Sequence, residues 1–283
     1  MPGKCALLGY ATVRLIFLFM SIWIAGTGYV PAATNGHVRV VSLAPSLTEI
    51  ICAIGASDCL VGRSSACHFP PEVVKRVPVA GDFGIPVLEA LAKCAPDLVV
   101  TVDMEDQNAA QAIEHLGIRH ASIPCRSLDD IPRAIRTVGK LLHREEAAEK
   151  LASEFSETLT DFRNQKLTTR RRVFIEIWGD PLMTAGKKSF LNELIELAGG
   201  ANIAGDVARD FFEISSETVL ARDPEVIILL EGTAPAVAKR TGWQQMTAVK
   251  TSHICSGLDR DLLEIPGPRV LQSVELLRRC IQP

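Results

Sequence analysis

The stretch that decides the fold is residues 38–55, which read VRVVSLAPSLTEIICAIG. The apolar run Val38–Leu43 predicts a short strand that ends at a turn around Pro45. Ser46, followed three residues later by Glu49, is typical of a capping box at the start of a helix, and the final glycine is a stop signal. The stretch therefore predicts a strand, a tight turn and a helix in immediate succession.

The same alternation continues along the chain. Further strands are predicted at Cys59–Arg63, Asp97–Val102, Ile118–Ile123, Arg172–Ile177, Glu225–Leu230 and Ser252–Cys255. Helices are predicted at Pro86–Lys93 and Gln107–Leu116, with a last helix at Arg269–Cys280. Because strands that alternate with helices form a mainly parallel sheet covered on both faces, the predicted fold class is α/β.

Residues 128–169 differ from the rest, since they have helical periodicity, many charges and no strand pattern. A single helix of this length would be about 60 Å long, which suits a bridge between two lobes. An interruption near His143-Arg144 is the alternative. The predicted organisation is an N-terminal α/β lobe over 34–127, a long linker helix over 128–169 and a C-terminal α/β lobe over 170–283.

A weak internal repeat supports two lobes. Glu89 is followed seven residues later by Pro96 and a strand, and Glu217 is followed seven residues later by Pro224 and a strand. Two similar α/β units in one chain explain this order. The alternative is that any connection from a helix to a strand has this form.

Composition limits the classes of function. The chain has 283 residues, 47% of them hydrophobic, and a formal net charge of -3, which supports a packed core and excludes a disordered chain. The nearly balanced charge offers no basic surface, so we expect no nucleic-acid partner. The sequence has no nucleophile elbow, phosphate-binding loop or dinucleotide-binding motif, and no histidine pair at helical spacing. We therefore predict no enzyme and no metal site, with an exported hydrolase or a metal-dependent enzyme as the alternative.

Residues 1–33 have the order of a secretory signal peptide. Two basic residues, Lys4 and Arg14, accompany the apolar run Leu15–Val30, and small residues continue to Ala33. The protein is therefore predicted to be exported to the periplasm, with cleavage near the end of this segment. The apolar run is just short of the about 20 residues that span a bilayer, so an uncleaved membrane anchor is the alternative.

Export would place the cysteines in an oxidising compartment that permits disulfides. Seven cysteines remain after the leader, an odd number, and no two have the C-x-x-C spacing of a zinc or redox site. We expect mostly buried thiols, with any bridges in the N-terminal half.

Five loops rich in glycine, proline and aromatic residues are the remaining signal. They are Ser64–Pro71, Gly81–Gly84, Trp178–Pro181, Asp210–Glu213 and Pro266–Pro268. Several come directly after strands, at the carboxyl ends where open α/β sheets bind ligands. Aromatic side chains on such loops favour a cleft for a flat or bulky organic molecule. The alternative for each loop is an anchor packed into its own lobe.

These segments resemble the periplasmic substrate-binding proteins of ABC importers for cobalamin, haem and iron-siderophores, most closely the cobalamin-binding branch. The matching segments run in order through the chain: Val40–Glu49, Cys67–Pro71, Val79–Phe83, Leu88–Leu91, Lys93–Val99, Gly186–Phe190, Leu197–Ile203 and Pro266–Arg269. The resemblance implies two Rossmann-like lobes with mainly parallel sheets joined by a single long α-helix. It also implies limited hinge motion, a ligand held between the lobes, and a monomer that is not an enzyme.

The resemblance assigns roles to individual residues as well. The implied ligand is cobalamin or a related corrinoid, with haem or an iron-siderophore as the alternative, and the protein needs no cofactor of its own. The implied ligand-binding residues are Ala44, Pro45, Phe69, Phe83, Trp178, Phe211 and Phe212. Glu89 and Glu217 are implied to dock against arginines of the membrane permease. Ala66 and Val102 stand where well-known relatives have Trp or Tyr, which leaves fewer hydrogen-bonding groups for a ligand.

Overall fold

Residues 37–102, 107–165, 167 and 170–282 are described by the computed structural model of the protein. The leader predicted over 1–33 lies outside these ranges. Residues His37–Pro283 belong to one unit. Within the described ranges, the helices are too short or too polar to cross a membrane.

The N-terminal lobe is built on a six-stranded sheet. Its strands are β1 (Val40–Ser42), β2 (Leu60–Ser64), β3 (Val79–Asp82), β4 (Ile85–Pro86), β5 (Leu98–Thr101) and β6 (Arg119–Ser122). The order is β4-β3-β2-β1-β5-β6, and neighbouring strands are parallel except for the antiparallel pair β3 and β4. β1 and β5 are buried along their whole length, as expected of continuous apolar runs in a covered parallel sheet.

The C-terminal lobe has a four-stranded parallel sheet, β10-β7-β12-β13, and a three-stranded antiparallel sheet, β11-β9-β8. These strands are β7 (Arg171–Glu176), β8 (Trp178–Gly179), β9 (Leu182–Ala185), β10 (Gly200–Asn202), β11 (Phe211–Glu213), β12 (Val226–Leu229) and β13 (Ile254–Cys255). The sequence predicts loops where β8, β11 and the end of β3 lie, and it predicts the start of a helix at Pro86 of β4. These strands have only two to four residues, too few for an alternating pattern to be recognised.

Helices cover the sheets and connect their strands. They are α1 (Pro45–Ala53), α2 (Pro71–Arg76), α3 (Leu88–Cys94), α4 (Gln107–His115), α5 (Asp130–Leu141), α6 (Glu145–Asn164), α7 (Phe190–Leu197), α8 (Ser216–Arg222), α9 (Ala234–Ala238), α10 (Thr247–Lys250), α11 (Arg260–Glu264) and α12 (Gln272–Ile281), with a 3-10 turn at Trp243–Gln245. The predicted α/β fold with two lobes and mainly parallel sheets is confirmed.

The single long linker helix predicted over 128–169 is wrong. Two helices, α5 with 12 residues and α6 with 20, are separated by a turn at His143, whose φ of 55° is incompatible with a right-handed helix. The two helices pack side by side, as shown by the hydrogen bond that Arg136 Nε of α5 donates to Glu149 Oε2 of α6 at 2.8 Å. The interruption near His143-Arg144 is therefore the correct alternative. Helical periodicity alone missed it because the pattern resumes immediately after a short turn.

The start of α1 also differs from its predicted form. Ala44 precedes the helix in an extended conformation, and Pro45 occupies the first turn, where its fixed φ suits a helix and no N–H is needed. The predicted capping box of Ser46 and Glu49 is wrong, since both side chains are buried within the helix. The Glu49 carboxylate accepts hydrogen bonds from Arg269 instead.

The internal repeat is confirmed by matching local structures in the two lobes. α3 and α8 each have seven residues with a glutamate in second position. Each is followed by a residue in the left-handed region, Ala95 with φ 44° and Asp223 with φ 40°, and then by a buried strand. In each lobe an arginine Nε donates to that residue's carbonyl at 2.9 Å, from Arg39 to Ala95 and from Arg172 to Asp223.

One buried apolar cluster runs through both lobes. Its members include Val40 and Ile50 of the first lobe, Leu159 of α6, and Val226 and Leu271 of the second lobe. A large hinge motion would expose part of this surface to water, which is unfavourable. The continuous core therefore opposes large movements of one lobe against the other.

Cys255 and Cys280 form a disulfide that ties β13 to α12. The expectation of bridges in the N-terminal half is wrong, since the cysteines from Cys52 to Cys94 remain thiols. Burial raises the pKa of the Cys52 thiol to about 12, which keeps it protonated and unreactive. Sequence spacing could not give the pairing, because a bridge depends on which side chains the fold brings together.

Candidate functional site

The carboxyl ends of the first-lobe strands bring together three of the predicted site residues. Ala44 and Pro45 follow β1, and Phe83 lies in the turn between β3 and β4. The Gly84 backbone N–H donates to Leu43 O at 2.9 Å, which fixes this turn beside the start of α1. The three residues therefore lie together at the edge of the sheet, where Phe83 is exposed and Ala44 and Pro45 are buried. A contact of Ala44 or Pro45 with a ligand stays a prediction.

Buried hydroxyl groups stabilise the turn that carries Ala44. Thr48 Oγ1 donates to Ser42 Oγ at 2.9 Å, and Ser42 Oγ donates to Ala44 O at 3.1 Å. Both hydroxyl side chains are fully buried, where polar groups need partners. These bonds explain why polar residues interrupt the apolar opening stretch, and they hold the first turn of α1 in one position.

The predicted aromatic residues of the second lobe lie on two different faces of its three-stranded sheet. Trp178 pairs with Met183, and Phe211 pairs with Ala185. Since paired residues and residues two apart on a strand share a face, Trp178 and Phe211 lie on the same face. Phe212 lies on the opposite face and packs against the apolar core of this lobe. The structure thus does not bring Phe212 together with the other two rings.

Three of the predicted aromatic side chains are largely exposed, with exposed fractions of 56% for Phe83, 46% for Trp178 and 45% for Phe211. The Trp178 indole is nevertheless fixed, because its Nε1 donates to Asp180 O at 2.8 Å. Leaving such a ring in water instead of burying it forgoes about 1.5–3 kcal/mol. Exposed rings at the strand ends of both lobes are typical of a ligand-binding surface.

Phe69 lies apart from these rings. Its ring stacks on the Arg269 guanidinium, with 3.6 Å between the ring centroid and Cζ. It also lines a cavity of about 420 Å³ beside α1 and α2, and the described residues that line this cavity do not include Phe83, Trp178 or Phe211. The structure gives Phe69 a packing contact between the lobes, and its predicted contact with a ligand stays a prediction.

A buried ion pair joins the lobes next to Phe69. Arg269 donates from Nε to Glu49 Oε2 at 3.0 Å and from Nη2 to Oε1 at 2.5 Å, and the exposed fractions are 19% for Arg269 and 4% for Glu49. Burial raises the pKa of Glu49, although the bonds from Arg269 oppose the rise. A second contact between lobes joins His68 Nδ1 to Asp261 Oδ1 at 3.4 Å. These contacts add to the continuous core in fixing the lobes.

The site also contains a charged pair that sequence reasoning missed. Glu176 ends β7 with a side chain only 2% exposed, and it accepts hydrogen bonds from Arg240 Nη1 at 2.5 Å and Nη2 at 2.8 Å. A Cβ on Gly179 would be 3.1 Å from Glu176 Oε1 and 3.0 Å from Arg240 Nη2, so β8 lies directly on the pair. The partners are 64 residues apart in the sequence, so their pairing could not be predicted. The one sequence feature that could have identified Glu176 is its position as a charged residue at the end of an apolar strand.

Glu89 and Glu217 occupy equivalent exposed positions near the first turns of α3 and α8. These helices run back from the carboxyl ends of the strands, so both glutamates lie at the same edge as the exposed rings. Hydrogen bonds from its own backbone N–H and from Ser215 lower the pKa of Glu217. Val87 and Leu88, beside Glu89, are 50% and 42% exposed. The docking role of the glutamates stays a prediction.

Among the described residues, His37, Asp58 and Cys59 lie close enough to one another to hold a metal ion. His37 Nε2 is 3.6 Å from Asp58 Oδ2. Arg144 Nη2, however, lies 3.4 Å from His37 Nδ1, whereas a metal-bound histidine normally donates its other ring N–H to an acceptor. This cationic neighbour favours a hydrogen-bonded surface cluster over a metal site.

The periplasmic binding protein family matches residues 40–259. The chain is 32% identical over 255 residues to the uncharacterized ABC transporter substrate-binding lipoprotein YvrC of Bacillus subtilis, covering 87% of this chain and 80% of the relative. It is similar to the periplasmic vitamin B12 binding protein BtuF of Vibrio cholerae, with a TM-score of 0.73 and 27% identity over 87% of this chain and 97% of that one. It is also similar to the periplasmic heme-binding protein RhuT from Roseiflexus sp. RS-1, with a TM-score of 0.78 and 26% identity over 87% of this chain and all 100% of that one. The chain therefore belongs to the periplasmic binding protein family.

Proposed function

We propose that the protein binds cobalamin or a related corrinoid between its lobes and delivers it to the membrane permease of an ABC importer. The observation that carries the proposal is the exposure of three aromatic rings in both lobes. Phe83 and Trp178 follow the carboxyl ends of β3 and β7, and Phe211 lies on the same face as Trp178. The faces of such rings suit the broad surface of a macrocycle. The similarity to a vitamin B12 binding protein favours a corrinoid among macrocycles.

On this proposal the protein is a carrier rather than an enzyme, acts as a monomer and uses no cofactor. Phe83 forms the first-lobe wall of the site, with Ala44 and Pro45 buried beneath the same strand end. Trp178 and Phe211 form the second-lobe wall. The leader over 1–33 exports the protein to the periplasm, where the ligand is captured.

Haem is the second candidate, because the chain is comparably similar to a periplasmic heme-binding protein and haem is also a flat macrocycle. An iron-siderophore is a third candidate from the same class of importer. These ligands differ in charge and shape, so direct binding measurements separate them.

The test is calorimetric titration of the chain without its leader against cobalamin, cobinamide, haem and a ferric siderophore. We expect binding of the corrinoids to be the tightest. Tight haem binding without heat from either corrinoid would replace the corrinoid by haem as the ligand. Binding of none of these ligands would contradict the proposed function as a whole.

The same titrations test the site. Phe83→Ala and Trp178→Ala should each weaken binding of the tightest ligand by about tenfold or more, because each removes apolar contact worth about 1.5–3 kcal/mol. Leu116→Ala is the matched control, since Leu116 is 47% exposed but follows α4 at the amino end of β6. Equal affinities for the ring variants and the control would place the ligand elsewhere.

A further inference from the structure

The Glu176–Arg240 pair is not explained by the fold. β1 pairs with β5 in the first lobe as β7 pairs with β12 in the second. Extending the first register by one residue past β1 makes Leu43 the counterpart of Glu176. Leu43 is fully buried, so the fold needs only an apolar side chain at this strand end. Burying a carboxylate is unfavourable, and a buried pair is weak support for stability. A charged pair at this strand end therefore points to a role other than stability.

Arg240 is held on one edge and open on the other. Nη1 and Nη2 donate to the Glu176 carboxylate, and the guanidinium lies over the Trp243 ring, with 4.7 Å from Cζ to the centroid. The side chain is still 30% exposed. Within the described ranges, its other side-chain N–H groups have no protein acceptor. A planar guanidinium in this state can bind a second anion without moving.

Arg240 lies beside the exposed Trp178 of the candidate site. Glu176 is separated from Trp178 by one residue, and Gly179, the next residue, leaves little room for more than a hydrogen between its backbone and the pair. A Cβ at this position would contact both charged groups tightly, at 3.0 and 3.1 Å. Arg240 follows α9, which comes after β12, the neighbour of β7 in the sheet. Ligands of open α/β sheets bind at the carboxyl ends of such adjacent strands.

We propose that Arg240 binds an anionic oxygen group of the ligand beside Trp178, and that Glu176 positions the guanidinium for this contact. The inference rests on the proposed function and specifies the ligand class as a macrocycle that carries an anionic arm. Two sources supply that chemistry, the phosphodiester of cobalamin and the propionate carboxylates of haem. The aromatic rings contact the macrocycle, while Arg240 distinguishes ligands by the anionic arm.

The test uses ligand pairs that differ in the anionic group. Cobinamide lacks the phosphodiester of cobalamin, and haem dimethyl ester lacks the free carboxylates of haem. Arg240→Gln should weaken binding of the anionic member by about ten- to a hundredfold, the range for a hydrogen bond between charged groups, and leave the other member unchanged. Titrations of all four ligands with each variant give the affinity ratio within each ligand pair. The ligand pair whose ratio changes in Arg240→Gln shows whether a phosphodiester or a carboxylate binds Arg240.

Glu176→Gln should change the affinity for anionic ligands in the opposite direction from Arg240→Gln, or leave it unchanged. It removes the negative charge that neutralises Arg240 while keeping a hydrogen-bond acceptor, so affinity for the anionic member should be maintained or increased. Arg222→Gln is the matched control, because Arg222 has a similar exposure of 31% and pairs with Asp206, but it ends α8 at the amino end of β12. We expect it to change no affinity.

Equal losses for both members of a ligand pair in Arg240→Gln would overturn the inference, because a purely structural role of the ion pair predicts that result. A Glu176→Gln variant that weakens binding of anionic ligands as strongly as Arg240→Gln would overturn the inference too. If Arg240→Gln does not fold, the affinity of Glu176→Gln for the anionic ligands is the deciding measurement. Wild-type protein that binds both members of each pair equally would overturn the inference but not the proposed function. Wild-type protein that binds none of the four would overturn both.

Discussion

At the residue scale, Glu49 shows how a side chain can depend on a distant partner. It lies within α1, yet its carboxylate binds Arg269, which is 220 residues away. The pair is buried between the lobes and is continued by the stacking of Arg269 on Phe69. A charge in this position is tolerated because both carboxylate oxygens have a charged donor.

Arg269→Met would leave the Glu49 carboxylate buried without its partner. We expect the free energy of unfolding to fall by about 3–5 kcal/mol at neutral pH, the usual effect of breaking a buried pair. Burial already raises the pKa of Glu49 in the folded state, so the folded variant binds a proton more readily than the unfolded chain. Part of the lost stability should therefore return as pH falls through that raised pKa.

Denaturant titrations at about pH 7 and about pH 5 measure this difference. The double variant Glu49→Gln with Arg269→Met is the control, because it has no carboxylate to protonate at this position. It should lose less stability and show little of the pH dependence. Equal losses for the single variant at both pH values would contradict the explanation.

At the element scale, the linker depends on a close approach between α5 and α6. A Cβ on Gly139 would be 2.3 Å from the Cβ of Ala148, so only glycine allows the helices to pack at this distance. The bond between Arg136 and Glu149 supports the same arrangement. The geometry of the linker is therefore set by one small residue within a helix.

Gly139→Ala should destabilise the protein by about 1–3 kcal/mol, because the added methyl group overpacks the helix crossing. The direction is informative, since the same change inside an unhindered helix stabilises by about 0.5–1 kcal/mol. Adding Ala148→Gly removes the opposing methyl group and should recover much of the loss. Thermal and denaturant unfolding measure both variants, and a more stable single variant would contradict the close approach.

At the scale of the whole molecule, the two lobes present one carboxylate each at the edge that carries the exposed rings. Glu89 and Glu217 lie at matching positions of the repeat, and the continuous core fixes the lobes relative to each other. Two exposed carboxylates held at a fixed separation can orient the protein on a permease that has two positively charged sites.

Glu89→Arg combined with Glu217→Arg should abolish uptake in cells that depend on this importer, because attraction to the permease becomes repulsion. Affinity for the ligand in solution should stay within about twofold, since neither side chain belongs to the proposed ligand site. Glu157→Arg, an exposed glutamate on α6, is the control and should leave uptake unchanged. Normal uptake by the double variant would refute docking through these residues.

Much of this architecture could be predicted from the sequence. The buried strands β1, β5 and β12 are mainly apolar, β7 has an apolar centre, and the glutamate-to-proline spacing identified the repeat. The short strands that carry Trp178 and Phe211 could not be predicted, because two or three residues show no period. The separation of Phe212 from Phe211 was equally hidden, since it follows from strand pairing rather than from composition.

The sequence by itself determined the α/β class, the two lobes and the loops where aromatic residues accumulate, because apolar runs and turn residues act over a few neighbours. Only the tertiary structure decided which rings face outward, where the linker turns, and that Cys255 pairs with Cys280. It alone brought Arg269 to Glu49 and Arg240 to Glu176. Such contacts join residues far apart in the chain, and their partners are selected by the packing of whole elements rather than by local preference.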